Sequence, residues 1–121
     1  MDNTKYDLED RLVEFTCRMI DVVPNTRSGN YIAGQLVRSC HSLTLNYGEA
    51  QAAESRNDFI HKLKVVLKEL KECRNALKII RRKELIKPVS KLSGIYKETE
   101  EPIAIIAKSI ETTKKNNPVK T

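Results

Sequence analysis

The stretch FIHKLKVVLKELKECRNALKII, residues 59–80, carries the most regular hydrophobic pattern of the 121-residue chain. Its apolar residues recur with alternating steps of four and three: Phe59, Leu63, Val66, Leu70, Cys73, Leu77 and Ile80. This spacing keeps one apolar seam on a single side of an α-helix, where it faces a partner helix. Ser55, with Asp58 three residues later, resembles a capping box and predicts that the helix begins just after AES, residues 53–55.

The same spacing returns in the segments on either side. The first segment carries Leu8, Leu12, Phe15, Met19 and Val22, the second Ile32, Leu36, Ser39, Leu43, Asn46, Ala50 and Ala53, and the fourth Val89, Leu92, Tyr96, Ile103, Ile106 and Ile110. VPNTRSGN, residues 23–30, separates the first two because it supplies stop and turn residues. Pro88 suits a first helical turn, whereas Pro102 removes a backbone hydrogen bond inside the fourth segment and predicts a kink or break at residues 98–102.

These patterns predict a single all-α domain over residues 1–114, folded as an antiparallel up-down-up-down four-helix bundle. The predicted helices span about residues 6–23, 29–53, 56–83 and 88–113, and residues 115–121 are predicted to be a disordered tail. The composition agrees, because four glycines, four prolines and 31% charged residues suit helices better than a turn-rich β-fold.

The sequence contains no apolar run near the ~18–20 residues that span a bilayer, and its N-terminus is acidic. We therefore expect a cytoplasmic protein without a membrane partner.

The three cysteines, Cys17, Cys40 and Cys73, are far apart and lack Cys-x-x-Cys spacing, which argues against a disulfide framework or a zinc knuckle. We interpret all three as reduced thiols packed like small apolar side chains.

The net charge of +6 is concentrated in the third helix. Residues 56–84 hold ten Lys or Arg and four Asp or Glu, while the other residues carry twelve of each and cancel. Six basic side chains, with the polar Asn75 filling one gap between them, step by threes and fours along the face opposite the core seam. This basic ridge consists of His61, Lys64, Lys68, Lys71, Lys78 and Arg82, and it is about 30 Å long.

Phosphates of RNA or DNA, or an acidic protein surface, are the partners that such a ridge fits. The competing interpretation is a solvated face that only keeps the protein soluble. No aromatic residue interleaves the lysines, so a bound nucleic acid would be held by its backbone, with strong salt dependence and little sequence specificity.

The sequence gives no positive evidence for catalysis, a cofactor or a small-molecule substrate. Helical bundles can hold di-iron centres through inward Glu-x-x-His pairs, but the nearest pair, Asp58 with His61, points outward. His41 has no carboxylate three or four residues away, and the chain has no glycine-rich phosphate loop. We expect neither a metal site nor an enzyme.

Asn46 interrupts the apolar stripe of the second helix. If it is buried, its amide needs partners, and it would fix which helices pair and in what register, because an unsatisfied amide costs about 1–3 kcal/mol. Arg38, Ser42 and Glu49, together with Gln35, form a polar flank beside it. This flank is either an internal brace between helices or a subunit contact.

The first helix has a second apolar line on the side away from its core seam, formed by Tyr6, Val13, Cys17 and Ile20. A helix that is apolar on two sides needs two partners, so this line is a candidate oligomer interface. A broad stripe that serves a single core would look the same.

The stretch QLVRSCHSLTLNYGEAQAAESRNDFIHKLKVVLKELKEC, residues 35–73, resembles a bacterial family of four-helix bundles encoded in intervening sequences of 23S ribosomal RNA genes. The residues that match its motifs are Arg38, Ser39, Ser42, Asn46, Tyr47, Glu49, Ala50, Ala53 to Arg56, and Asp58 to Leu63. Phe15, Pro24 and IAGQL, residues 32–36, also fit, so the likeness covers about residues 6–82. Cys40, Thr44 and Leu45 depart from the small residues of many relatives, which affects packing close to the second helix.

The resemblance implies a non-enzymatic bundle that assembles into a homo-oligomeric ring, typically a homopentamer. A related group, the accessory variability proteins of diversity-generating retroelements, uses a basic pentameric barrel to bind a reverse transcriptase and nucleic acid. Our hypothesis from the sequence is therefore an oligomeric scaffold or adaptor that binds nucleic acid or an acidic protein through the basic ridge. The alternative is a pure protein–protein interaction module without a nucleic-acid role.

Overall fold

The computed structural model describes residues 7–21, 27–86 and 90–116, and these residues form α-helices without a β-strand. The helices are α1 (Leu8–Asp21), α2 (Arg27–Gln51), α3 (Arg56–Arg82), α4 (Lys91–Glu98) and α5 (Glu100–Lys115). α4 and α5 are two halves of the fourth segment. Among the described residues, no helix is both long enough and apolar enough to cross a membrane.

Consecutive helices pack antiparallel. Between α2 and α3, Cys40 Sγ lies 3.5 Å from Cys73 Sγ, while nearer the connecting turn Lys62 Nζ lies 2.6 Å from Glu49 Oε1. α1 packs against both α2 and α4, and α3 packs against both halves of the fourth segment, which closes the bundle. The predicted all-α four-helix bundle is confirmed.

The core is formed by the seams that the periodicity predicts. Every seam residue of α3 from Leu63 to Ile80 is buried, and Phe59 is half-buried against the core. α1 contributes Leu8, Leu12, Phe15 and Met19, and α2 contributes Leu36, Ser39, Leu43 and Ala50. Val22, Pro24, Pro88 and Val89 lie outside the described residues.

Two seam assignments need correction. α2 ends at Gln51, so Ala53 lies in the turn before α3 and not on the helix. In α4 the buried seam passes from Leu92 to Ile95, while the predicted Tyr96 is only half-buried, with the Arg81 guanidinium 4.8 Å above its ring. The stacked arginine covers the ring from the solvent side, which lets the aromatic residue sit at the core margin.

Both ends of α3 are capped. The Ser55 side chain accepts a hydrogen bond from the Asp58 backbone N–H at 3.0 Å, as the capping-box pattern predicts. At the other end, Leu85 N–H donates to the Ile80 carbonyl at 3.0 Å and Glu84 N–H donates to the Arg81 carbonyl at 3.1 Å. These two bonds form a Schellman motif, with Glu84 in the left-handed region at φ 50°.

The break in the fourth segment lies at Thr99, within the 98–102 stretch for which Pro102 predicts a kink. Pro102 has no N–H for the Glu98 carbonyl and its ring clashes with that group, so α4 ends at Glu98. Pro102 then sits in the first turn of α5, where its missing N–H is tolerated, and it is buried.

The C-terminal prediction is wrong for the first residues of the expected tail. Lys115 is still helical, and the Asn116 backbone N–H donates to the Thr112 carbonyl at 3.0 Å. Arg56 of α3 donates to the Asn116 carbonyl at 2.6 Å, which ties the end of α5 to the bundle. Residues 117–121 lie outside the described residues.

Candidate nucleic-acid interface

The basic ridge lies on the outer face of α3, towards α5. His61, Lys64, Lys68, Lys71 and Arg82 are exposed, and Lys78 is half-buried. Three shallow depressions follow one another along it. Their linings are Asn57, Ile60, His61, Lys64 and Lys114; then Lys64, Leu67, Lys68, Lys71, Glu72 and Asn75; then Asn75, Lys78, Ile79 and Arg82. The ridge is therefore a furrowed surface with apolar patches on its floor, and Lys114 of α5 extends it.

The cations of α3 form two groups, those that face neighbouring helices and those on the ridge. Those that face neighbouring helices are engaged: Lys62 pairs with Glu49 at 2.6 Å, Arg74 lies 3.8 Å from Glu100, and Arg81 stacks on an aromatic ring. The side chains of the ridge form no ion pair with any described residue. Their charge is consequently available to a ligand.

Ion pairs raise the pKa of two cations that face neighbouring helices. The hydrogen bond from Lys62 to Glu49 raises the pKa of the lysine ammonium above its ordinary value. The hydrogen bonds from Arg11 of α1 to Glu101, at 2.8 Å, and to Glu98, at 3.3 Å, likewise raise the pKa of the guanidinium, and burial partly opposes this. These pairs hold neighbouring helices together, so they are structural.

The expectation that Asn46 is buried and fixes the register between helices is wrong. It is half-buried, and its Nδ2 donates to the Ser42 carbonyl at 2.8 Å and to Ser42 Oγ at 3.2 Å, one turn earlier in its own helix. The buried strip of α2 passes through Leu43 and Ala50 with Tyr47 partly covered, which leaves Asn46 at its edge. A side chain at the edge can satisfy its amide locally.

The polar flank of α2 meets α3 in a line of hydrogen bonds that we call the polar seam. Ser39 donates to Glu72 at 3.2 Å and Ser42 donates to Glu69 at 3.3 Å. At one end, Glu49 accepts from Lys62, so this part of the flank is an internal brace. Arg38 is different, because it is exposed and, within the described part of the chain, its guanidinium donates only to Gln35 of its own helix, at 2.7 Å.

The second apolar line of α1 is exposed where the structure describes it. Val13 is 43% exposed, Ile20 is 50% exposed, and Cys17 is exposed as well, while Tyr6 lies outside the described residues. On α2, Val37 and Leu45 are also exposed. Thr16 lies 3.1 Å from Thr44 at the contact of the two helices, so the exposed apolar residues of α1 and α2 flank this contact.

The cysteines differ from one another. Cys40 and Cys73 are buried and in contact, as expected for thiols packed like apolar groups, and the hydrogen bond between them together with burial raises the pKa of Cys73. Cys17 corrects that expectation, because it is exposed. The described part of the chain has no group of three or more His, Cys, Asp or Glu side chains placed to hold a metal ion.

Sequence reasoning missed two residues. Lys114 extends the ridge from another helix, and Glu69 places a carboxylate in the polar seam, where the residue is 7% exposed. A signal existed for Glu69, because Ser39 and Ser42 have the same spacing of three as Glu69 and Glu72. That signal becomes readable only when the register between α2 and α3 is known.

Known proteins identify the family. A comparison with curated proteins finds no match. A solved structure from Bacteroides thetaiotaomicron, described as a protein with unknown function from the S23 ribosomal protein family, is 30% identical. The similarity covers 84% of this chain and 96% of that one, with a TM-score of 0.75. The profile of the 23S rRNA-intervening sequence proteins matches residues 4–108, and the chain therefore belongs to the 23S rRNA-intervening sequence protein family.

Proposed function

We propose that the protein is a non-enzymatic, cytoplasmic scaffold or adaptor that assembles with itself and holds nucleic acid along the basic ridge. The observation that carries this proposal is the division of charge on α3. Cations that face other helices are engaged, whereas the ridge cations lack an acidic partner among the described residues. A line of cations left open in this way attracts polyanions and loses counterions when phosphates replace them.

The ridge favours contact with the sugar-phosphate backbone. Lys64, Lys68 and Lys71 lie about 6 Å and 4.5 Å apart along the helix axis, from ~1.5 Å of rise per residue. Flexible lysines at this spacing can each reach a phosphate of one strand. The depressions contain the aliphatic side chains Ile60, Leu67 and Ile79, and none of their lining residues is a Phe, Tyr or Trp on which a base could stack. Binding is consequently expected to depend strongly on salt and weakly on sequence.

Self-association is supported by the exposed apolar residues that flank the α1–α2 contact. Val13 and Ile20 expose about half of their surface, and Leu45 is 54% exposed. Clustered exposed apolar side chains mark interaction surfaces. By the family resemblance we expect a ring of five subunits. Replacing Val13 and Ile20 with Asp should lower the mass measured by light scattering, while an unchanged mass would place the contact elsewhere.

The alternative function is a protein–protein interaction module in which the ridge meets an acidic protein or only water. The depressions with aliphatic floors favour it, because Leu67 and Ile79 would also suit apolar side chains of a protein partner. An RNA-binding measurement on the wild-type protein separates the two functions.

The decisive experiment reverses charge on the ridge and, in a matched control, elsewhere. Lys64, Lys68, Lys71 and Lys78 are changed to Glu in one variant. Lys91, Lys97, Lys108 and Lys115, which are exposed on α4 and α5, are changed to Glu in the control. Each variant takes the net charge from +6 to −2, because four reversals remove eight charges.

Retention of random-sequence RNA at low salt should be lost in the ridge variant and kept in the control, with unchanged circular dichroism in both. Equal loss in both variants would mean that only net charge matters, which would contradict a site on α3. A wild-type protein that retains no RNA would support the interaction module.

A further inference from the structure

The middle depression of the ridge differs from the other two because its lining includes a carboxylate. Three ridge lysines and three residues without positive charge form that lining: Lys64, Lys68 and Lys71, with Leu67, Glu72 and Asn75. A negative charge among these cations weakens the attraction of a phosphate, because like charges repel. If the depression held only phosphates, Glu72 would therefore oppose binding. Its presence indicates that the depression also takes a group that donates a hydrogen bond.

Glu72 is held in place by α2, and one of its carboxylate oxygens is still available. Its Oε1 accepts a hydrogen bond from Ser39 Oγ at 3.2 Å, and Ser39 is only 3% exposed, so the donor is fixed within the polar seam. Its Oε2 forms no hydrogen bond or ion pair with a residue in the described ranges. Because Glu72 is exposed, a ligand in the depression can reach this oxygen.

The other lining residues suit a nucleobase and the phosphates beside it. Asn75 is exposed and lies one helical turn beyond Glu72, where its amide offers a donor and an acceptor next to the carboxylate. Leu67 is half-buried and gives the face of a base an apolar surface to pack against. Lys64 and Lys71 can hold the flanking phosphates. The depression thus combines phosphate contacts, an apolar contact and an acceptor for the edge of a base.

An acceptor at this place distinguishes the bases by their amino groups. Adenine, cytosine and guanine each carry an exocyclic amino group that can donate to a carboxylate. Uracil has no amino group, and its single N–H lies between two carbonyl oxygens, which a carboxylate repels. Single-stranded RNA exposes these edges to a protein, because its bases are not paired.

We propose that Glu72 makes the middle depression select amino-bearing bases over uracil in single-stranded RNA bound along the ridge. This inference rests on the nucleic-acid binding proposed above and deepens it, because it names the bases that the site accepts. The lysine contacts with phosphate stay independent of sequence, and the base preference is added to them. Ser39 acts as a positioning residue, since it holds one oxygen of Glu72 and leaves the other for the base.

Oligo(C) and oligo(U) of equal length measure the preference. They carry the same phosphate charge and differ at the base edge where cytosine has its amino group and uracil a carbonyl. Their affinities are compared by fluorescence anisotropy at low salt and mildly alkaline pH, where cytosine is unprotonated. The wild-type protein should bind oligo(C) about three- to tenfold more tightly than oligo(U), which is the net effect of one hydrogen bond.

Glu72→Gln tests the assignment to this residue. The glutamine amide keeps the size of the side chain but can donate as well as accept, so it tolerates the uracil carbonyls. The affinity for oligo(U) should rise and the two affinities should become nearly equal. Glu14→Gln is the matched control, because it removes the same charge from an exposed residue of α1 that lines none of the three depressions. The control should keep the wild-type ratio of affinities.

The outcomes separate this inference from the function on which it rests. Equal affinity of the wild-type protein for the two oligomers, or tighter binding of oligo(U), would refute base selection and leave charge-driven binding along the ridge intact. A preference for oligo(C) that survives Glu72→Gln, or that Glu14→Gln also removes, would overturn the assignment to Glu72. A wild-type protein that binds neither oligomer would refute the proposed nucleic-acid binding and the inference with it.

Discussion

Removing single lysines from the ridge should change the salt dependence of RNA binding by an amount that the structure fixes. Six cations that form no ion pair with a described residue line the ridge: Lys64, Lys68, Lys71, Lys78, Arg82 and Lys114. If each contacts one phosphate, log Kobs falls with log salt at a slope of about −4 for single strands, from ~0.7 per phosphate. Replacing Lys68 with Ala should reduce the slope by about 0.7, and replacing Lys71 as well should reduce it by about 1.4.

The assay is fluorescence anisotropy of a labelled random-sequence RNA, repeated between roughly 25 and 200 mM salt, the range over which counterion release dominates. Lys62→Ala is the matched control, because Lys62 lies on the same helix but faces α2 and pairs with Glu49 at 2.6 Å. Its slope should equal that of the wild type. A double variant with an unchanged slope, or a Lys62→Ala variant with an equally reduced slope, would refute a defined phosphate track on α3.

Three further outcomes test the fold. Leu70→Ala should lower the free energy of unfolding in urea by about 2–5 kcal/mol, because it removes most of a fully buried side chain. Leu45→Ala, at a residue that is 54% exposed, should change the free energy of unfolding by less than about 0.5 kcal/mol. Equal effects would contradict the core assignment. Glu84→Gly should raise the free energy of unfolding by about 0.5 kcal/mol in the same assay, because glycine adopts the left-handed conformation of this helix cap without strain, and a loss would argue against the Schellman motif. At mildly alkaline pH a thiol reagent should label the exposed Cys17 fast and Cys40 and Cys73 slowly. The slow labelling is expected because Cys40 and Cys73 are buried and the pKa of Cys73 is raised. Equal labelling rates for the three cysteines would exclude the buried thiol pair.

The core was predictable because helical periodicity is a local property. The seam of α3 needs only the sequence between Phe59 and Ile80, and six of its seven residues are buried. The ridge was predictable for the same reason, since the face opposite a buried seam points to solvent. Which cations are neutralised was not predictable, because Lys62 and Arg74 find their partners in α2 and α5. Those partners depend on the register between helices, which the periodicity of one helix does not encode.

Asn46 shows why polar residues on a stripe are harder to predict than apolar ones. A heptad repeat drifts by about 20° per seven residues around a straight helix, so its edge positions turn away from the core. Asn46 lies at such an edge and bonds to Ser42 of its own helix. The register is instead marked by groups that sequence analysis treated separately, among them the contact of Cys40 with Cys73. Each of these pairs joins residues far apart in sequence.

The ridge and the exposed apolar residues of α1 and α2 lie on different helices, and this has a consequence for affinity. An assembly joined through those apolar residues would leave the ridge of each subunit free, so it would display one ridge per subunit. Each ridge alone would bind a polyanion weakly, but a strand that spans two of them binds the second at a high effective concentration. Assembly would therefore convert a weak, sequence-independent contact into firm retention of long RNA, and variants that dissociate the subunits should lose long RNA while binding short RNA as before.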